Sequence, residues 1–125
     1  MNNRIAAGLV LGLLNVLAAC DAVGPFGRAC TDELRPSLRI AVSDSATAEP
    51  LTGHGVRVVT TTRTFVDTLA VDQAGVAALG KERSGRYRVQ VDAPGYHTWV
   101  REGINVTRDE CHVITVDVKA RLQSQ

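Results

Sequence analysis

Apolar residues that recur with a period of two, renewed after each cluster of turn residues, restrict this chain more than any other feature. The pattern is cleanest where Tyr87, Val89 and Val91 alternate with Arg86, Arg88, Gln90 and Asp92. Successive side chains of a strand point to opposite faces, so such a run specifies a strand with one buried face. Leu38, Ile40 and Val42 repeat it against Arg39, Ala41 and Ser43. Val56 and Val58 open a third run that continues through Thr60, Thr61 and Thr62, where β-branching favours extended backbone. Residues 65–71 follow, with Phe65, Leu69 and Val71 on one side, and then a short run at 76–79 suited to a sheet edge. Residues 96–100 read as one strand, and Ile104 and Val106 seed another. In residues 111–122, Ile114, Val116 and Val118 share a face with His112, whereas Cys111, Val113, Thr115, Asp117 and Lys119 take the other. If the first set packs inward, Cys111 points out of the core toward Cys30. Gly, Pro, Asp and Ser cluster between the runs and supply the turns. No stretch carries a helical stripe. About seven short strands separated by turn signals predict an all-β protein, an immunoglobulin-like β-sandwich.

The first residues obey other rules. Residues 1–4 hold one fixed positive charge, and residues 5–19 are apolar apart from Asn15. A charged start, a short apolar run and small residues at the end are the layout of a secretory signal peptide. A run of about 15 residues is shorter than the roughly 20 needed to cross a bilayer as a helix. Its ending, Leu17-Ala18-Ala19-Cys20, resembles the lipobox of bacterial lipoproteins. That resemblance implies a diacylglyceryl group on the Cys20 thiol, cleavage before Cys20 and acylation of the freed amine. Asp21 resembles an inner-membrane retention signal. An ordinary signal peptide cut after Ala19 or Ala22 is the competing reading. The expected organisation is a signal peptide at residues 1–19, a lipidated tether at 20–36 and one β-sandwich domain at 37–122. About 106 residues would remain after cleavage, enough for one small domain.

Charge and cysteine count narrow the partners. The chain has 14 Lys and Arg against 13 Asp and Glu. Loss of Arg4 evens the balance, which leaves no electrostatic footprint for nucleic acid or an anionic membrane surface. Membrane affinity is expected to come from the lipid alone. Of three cysteines, assigning Cys20 to lipid leaves Cys30 and Cys111 as an even pair in a disulfide-permissive compartment. A bridge would close a loop of about 80 residues, valued by the chain-entropy model at about 4.5 kcal/mol. Two free thiols or an intermolecular bond are the alternatives. A cysteine-based zinc site is disfavoured, because no second Cys or His stands at ligand spacing.

Within the predicted sandwich, Asp44, Pro50-Leu51, Gly53 and Val56-Arg57-Val58 are followed by Asp72 and Gly75. Then come Gly85-Arg86-Tyr87-Arg88-Val89 and Ala93-Pro94-Gly95-Tyr96. Over about residues 38–99 this resembles the carboxypeptidase regulatory-like domain, a transthyretin-like β-sandwich. The resemblance implies a module without catalytic residues, and no cofactor. The architecturally similar hydroxyisourate hydrolases carry a Tyr-Arg-Gly-Ser signature that this sequence lacks.

Candidate chemistry is sparse. His54, His97 and His112 are the histidines. Convergence of the three would make a zinc site or a small hydrolase centre; otherwise they are scattered polar residues. No serine lies in Gly-x-Ser-x-Gly. Arg39, Arg57, Arg86 and Arg88 face outward and would form a basic stripe if their strands are neighbours. Trp99, beside Tyr96 and His97, is either an exposed aromatic contact or a cap over the core. The expectation is a non-catalytic binding or structural lipoprotein of the bacterial cell envelope, anchored in the inner or outer membrane through Cys20. Its binding surface would draw on Trp99, Tyr96, His97, Arg86 and Arg88. Its partner would be an envelope protein or a glycan, and not nucleic acid. The alternative is a metal-binding protein or hydrolase using the three histidines, or an accessory subunit of an envelope complex.

Overall fold

The computed structural model describes residues 29–53 and 55–125. The predicted signal peptide, Cys20, Asp21 and His54 therefore lie outside the described residues. Seven strands are present: β1 (Leu38–Asp44), β2 (Arg57–Thr61), β3 (Val66–Ala70), β4 (Val76–Leu79), β5 (Gly85–Asp92), β6 (Trp99–Val106) and β7 (Val116–Leu122). They form a three-stranded sheet in the order β4-β1-β7 and a four-stranded sheet in the order β3-β2-β5-β6. β1 runs antiparallel to β4 and parallel to β7, and the four-stranded sheet is antiparallel throughout. The protein is an all-β sandwich.

The alternating residues explain the layering. Leu38, Ile40 and Val42 on β1 and Tyr87, Val89 and Val91 on β5 are all at most 1% exposed. Val58, Val118, Ala120 and Leu122 close the core between the sheets. Burial of these side chains, each worth roughly 1.5–3 kcal/mol when large and apolar, is what holds the sheets together. β4 sits at a sheet edge, as its shortness predicted.

Three expectations need correction. Residues 96–106 do not make two strands, because β6 runs unbroken from Trp99. Gly103 has φ +70°, and the pairing with β5 shifts between Tyr87 and Val89. A bulge at this glycine re-registers the strand, where a break had been expected. Second, the alternation in residues 111–122 fails at its start. Val113 is buried and Ile114 is 55% exposed, because residues 108–113 close a turn before β7 begins at Val116. Third, Leu69 is 45% exposed. β3 lies at a sheet edge, so its nominally inward side is only half covered. One inward polar residue was not anticipated: Thr60 is fully buried, and its hydroxyl has no hydrogen-bond partner.

The strand ends define two poles. At the proximal pole lie the starts of β1, β3, β5 and β7 and the ends of β2, β4 and β6, as the register dictates. The chain enters the described region here. At the distal pole three turns are built on aspartates or on Pro-Gly. Asp44 Oδ1 accepts the N–H groups of Ala46 and Thr47 at 2.7 and 3.0 Å. Asp72 Oδ1 does the same for Ala74 and Val76 at 2.8 and 2.9 Å. Such side-chain acceptors are why Asp nucleates turns.

Candidate functional site

The sequence reading of residues 30–36 as tether missed how firmly they are fastened. Cys30 and Cys111 form a disulfide with Cα atoms 5.1 Å apart, and Cys111 lies outside the core beside the entering chain. One residue on, Thr31 Oγ1 lies 3.0 Å from His112 Nε2. The other ring nitrogen, Nδ1, meets Glu82 Oε1 at 2.7 Å. That carboxylate also accepts the Arg35 N–H at 2.8 Å and, through Oε2, the Val113 N–H at 3.1 Å. The Arg35 N–H, the His112 ring and the Val113 N–H together hold the Glu82 carboxyl down at about 2. Glu82 adopts φ +53°, a left-handed conformation disfavoured for a side chain with a β-carbon. The contacts of its carboxylate compensate. Behind it, the buried Ser37 hydroxyl donates to the Arg83 carbonyl at 2.6 Å, and Tyr87 OH donates to the same oxygen at 2.7 Å.

Thr31, His112 and Glu82 are thus aligned as a hydroxyl, an imidazole and a carboxylate beside a hollow of about 620 Å³ lined by Cys30, Arg35, Asp109 and Cys111. The order matches a nucleophile, a base and an orienting group. Two backbone donors beside the hollow are committed elsewhere: the N–H groups of Cys111 and His112 both point at Asp109 Oδ1, at 2.8 Å each. They hold the Asp109 carboxyl below its ordinary range. Neither is turned toward the hollow to receive a developing oxyanion. What the cluster does physically is bind three segments to one another: the entering chain, the 80–85 loop and the 109–113 turn. Glu82 and Thr31 were not singled out from the sequence. A lone Glu between two glycines in a polar loop carries no pattern that marks it.

The other predicted residues fall into two separate places. At the distal pole His97, Thr98 and Trp99 line a hollow of about 260 Å³ with Ser45, Arg121 and Gln123. Trp99 is half-buried against the core, so it caps the sandwich and offers one edge to the hollow. Tyr96 OH donates to Asp44 Oδ2 at 2.8 Å. The Thr47 N–H first, then this hydroxyl and the Ala46 N–H, hold the Asp44 carboxyl down, and the same bond pushes the Tyr96 phenol up. Tyr96 is a corner tie. Arg86 and Arg88 lie on the outer face of the four-stranded sheet, beside a shallow hollow of about 350 Å³ with Thr61, Arg63, Glu102 and Gly103. Arg86 lies five steps along β5 from the position opposite Trp99, or roughly 17 Å along the strand. The predicted binding surface is therefore two surfaces.

The basic stripe is met in part: β2 and β5 are neighbours and carry Arg57, Arg86 and Arg88 on one outer face, but acidic and amide partners interrupt it. Arg39 belongs to the other sheet, 4.0 Å from Asp117. Arg57 stands opposite Asp92, and Arg88 bonds Glu102 and Gln90, both at 3.2 Å. His97 and His112 lie at opposite poles. Among the described residues, no three His, Cys, Asp or Glu side chains converge to hold a metal ion. The three-histidine centre fails on geometry, since two of its members are a strand length apart.

Compared with known proteins, residues 37–121 match the model of the carboxypeptidase regulatory-like domain. No curated protein matches the chain.

Proposed function

The chain belongs to the carboxypeptidase regulatory-like domain family, and from that premise we propose that it is a non-catalytic binding module, held at a membrane of the bacterial cell envelope by lipid on Cys20. The fastening of the entering chain carries this reading. Because Cys30 is clamped to Cys111, only ten steps of chain separate the sandwich from Cys20, a reach of roughly 35 Å at full stretch. A domain secured that close to its anchor works near the bilayer. The distal hollow, with Trp99, His97 and Arg121, lies at the pole opposite the entering chain and is the surface offered to an envelope protein or glycan. The regulatory character of the family favours a second form of the same reading, an accessory subunit whose partner supplies the chemistry.

The experiment has two arms. Cells supplied with a labelled fatty acid incorporate it into the wild-type protein and not into Cys20→Ser; label that persists on the variant contradicts the anchor. Purified protein leaves peptide, ester and purine-derived substrates intact; hydrolysis that disappears in Thr31→Val or His112→Asn contradicts the non-catalytic reading.

A further inference from the structure

We propose that the proximal pole is a membrane-docking face, fitted to a bilayer surface carrying anionic lipid headgroups. The proposal rests on the reading that the chain is tethered through Cys20. The three most exposed large apolar side chains among the described residues are Leu34 at 65%, Val66 at 62% and Ile114 at 55%. A single exposed apolar residue is ordinary. Here all three lie at one end: Leu34 in the fastened entry segment, Val66 at the start of β3, and Ile114 in the turn that leads into β7. That end is also where the chain departs toward residues 1–28.

The charges at this end are sorted. Arg63, Lys81 and Arg83 occupy the flank formed by the β2–β3 turn and the 80–85 loop, with Arg86 of β5 beside Arg63, and Arg83 lies 4.2 Å over the Phe65 ring. Two acidic groups share this flank, Asp67, which accepts the Gly80 N–H at 3.3 Å, and Glu102, paired with Arg88 at 3.2 Å, so the flank keeps an excess of cations; the remaining acids lie toward the disulfide side. Glu82 is spent on His112 and two backbone N–H groups, and Asp109 on its own turn. Glu33 lies 3.8 Å from Arg35, and Asp32 and Glu110 flank the disulfide. The neutrality of the whole chain hides this segregation. Val66 stands beside the cationic flank, and Leu34 and Ile114 lie toward the disulfide side of the same pole. Apolar side chains beside a cationic flank suit the boundary between headgroups and acyl chains, where the first are buried and the second meet phosphate. Ten steps of chain from Cys20 to Cys30 can reach no more than roughly 35 Å, so the face lies close to the surface. The lipid then supplies attachment, and the pole supplies orientation.

The test uses the full chain, purified with its anchor and reconstituted into vesicles of phosphatidylcholine alone or with phosphatidylglycerol. A water-soluble amine acylating reagent is read by mass spectrometry at Lys81, on the docking flank, and Lys119, on the outer face of the β4-β1-β7 sheet. With phosphatidylglycerol, Lys81 labelling slows about fivefold or more relative to detergent, the factor carried by one surface cation, and Lys119 labelling does not change. Val66→Asp with Ile114→Asp restores Lys81 labelling, with thermal midpoints recorded beside it because Asp is disfavoured in a strand such as β3. Arg63→Glu restores it in part. Equal Lys81 rates in anionic vesicles and in detergent overturn the proposal, and equal protection in phosphatidylcholine overturns the anionic assignment. The same spectra report whether Cys20 carries acyl chains, so failure of the anchor is read separately from failure of the docking face.

Discussion

Glu82 is the residue on which the proximal pole depends most. Its backbone is strained at φ +53°, and its carboxylate is held near 2, where an unfolded glutamate would titrate near 4.5. A carboxyl with a depressed folded-state value stabilises the fold above the unfolded value and loses that contribution as pH falls through the folded one. Stability should therefore decline as pH drops from about 4.5 toward 2. Asp44, Asp92 and Asp109 add to the decline, because their carboxyls are lowered as well. Glu82→Gln should be less stable at neutral pH and show a flatter acid limb, read from thermal midpoints across pH; an unchanged limb would remove Glu82 from its assigned role. Thr60 makes the opposite case. Its buried hydroxyl lacks a partner, so Thr60→Val, which keeps the shape, should raise stability by about 1 kcal/mol in urea unfolding. Neither residue was legible in advance. Thr60 looked like ordinary β-branched strand, and Glu82 gains its meaning from Arg35, His112 and Val113, which only the folded chain brings near it.

At the scale of elements, strands were legible wherever a full period-two run was available, as in β1 and β5. β1 lies at the centre of its sheet, and Ile40→Ala there should cost about 2–5 kcal/mol. Reading failed where a single residue changes the phase. In β6 that residue is Gly103: an added β-carbon would stand 3.1 Å from the Arg86 guanidinium at φ +70°. Gly103→Ala should cost about 1–2 kcal/mol from the left-handed backbone alone. Equilibrium unfolding checks both, and an undiminished stability in Gly103→Ala would mean that the bulge does not need its glycine. Ahead of β7, the turn capped by Asp109 shifts the alternation, buries Val113 and exposes Ile114. A pattern argument cannot count across a turn whose length it does not know. Edge position was equally hidden in β3, where Leu69 has neighbours on one side only.

For the molecule as a whole, the disulfide and the Glu82–His112 cluster tie the entry segment to the sandwich twice over. The bridge closes a separation of 81 residues, so Cys30→Ser and Cys111→Ser should each lower stability by up to about 4.5 kcal/mol, less where the cluster keeps the segment in place. The pairing was readable from cysteine arithmetic once Cys20 was assigned to lipid. The division of the predicted binding residues between a distal hollow and an outer sheet face was not, because strand order and facing are properties of the assembled sheets. The central claim is a sandwich clamped by Cys30–Cys111 a short chain away from a lipid on Cys20. Intact and peptide mass spectrometry of the protein extracted from membranes under non-reducing conditions tests it most directly. The account predicts a mature chain that begins at Cys20 and carries acyl chains, with Cys30 and Cys111 recovered in one linked peptide pair. A mature chain with an unmodified Cys20, or Cys30 and Cys111 recovered as separate thiols, would contradict it.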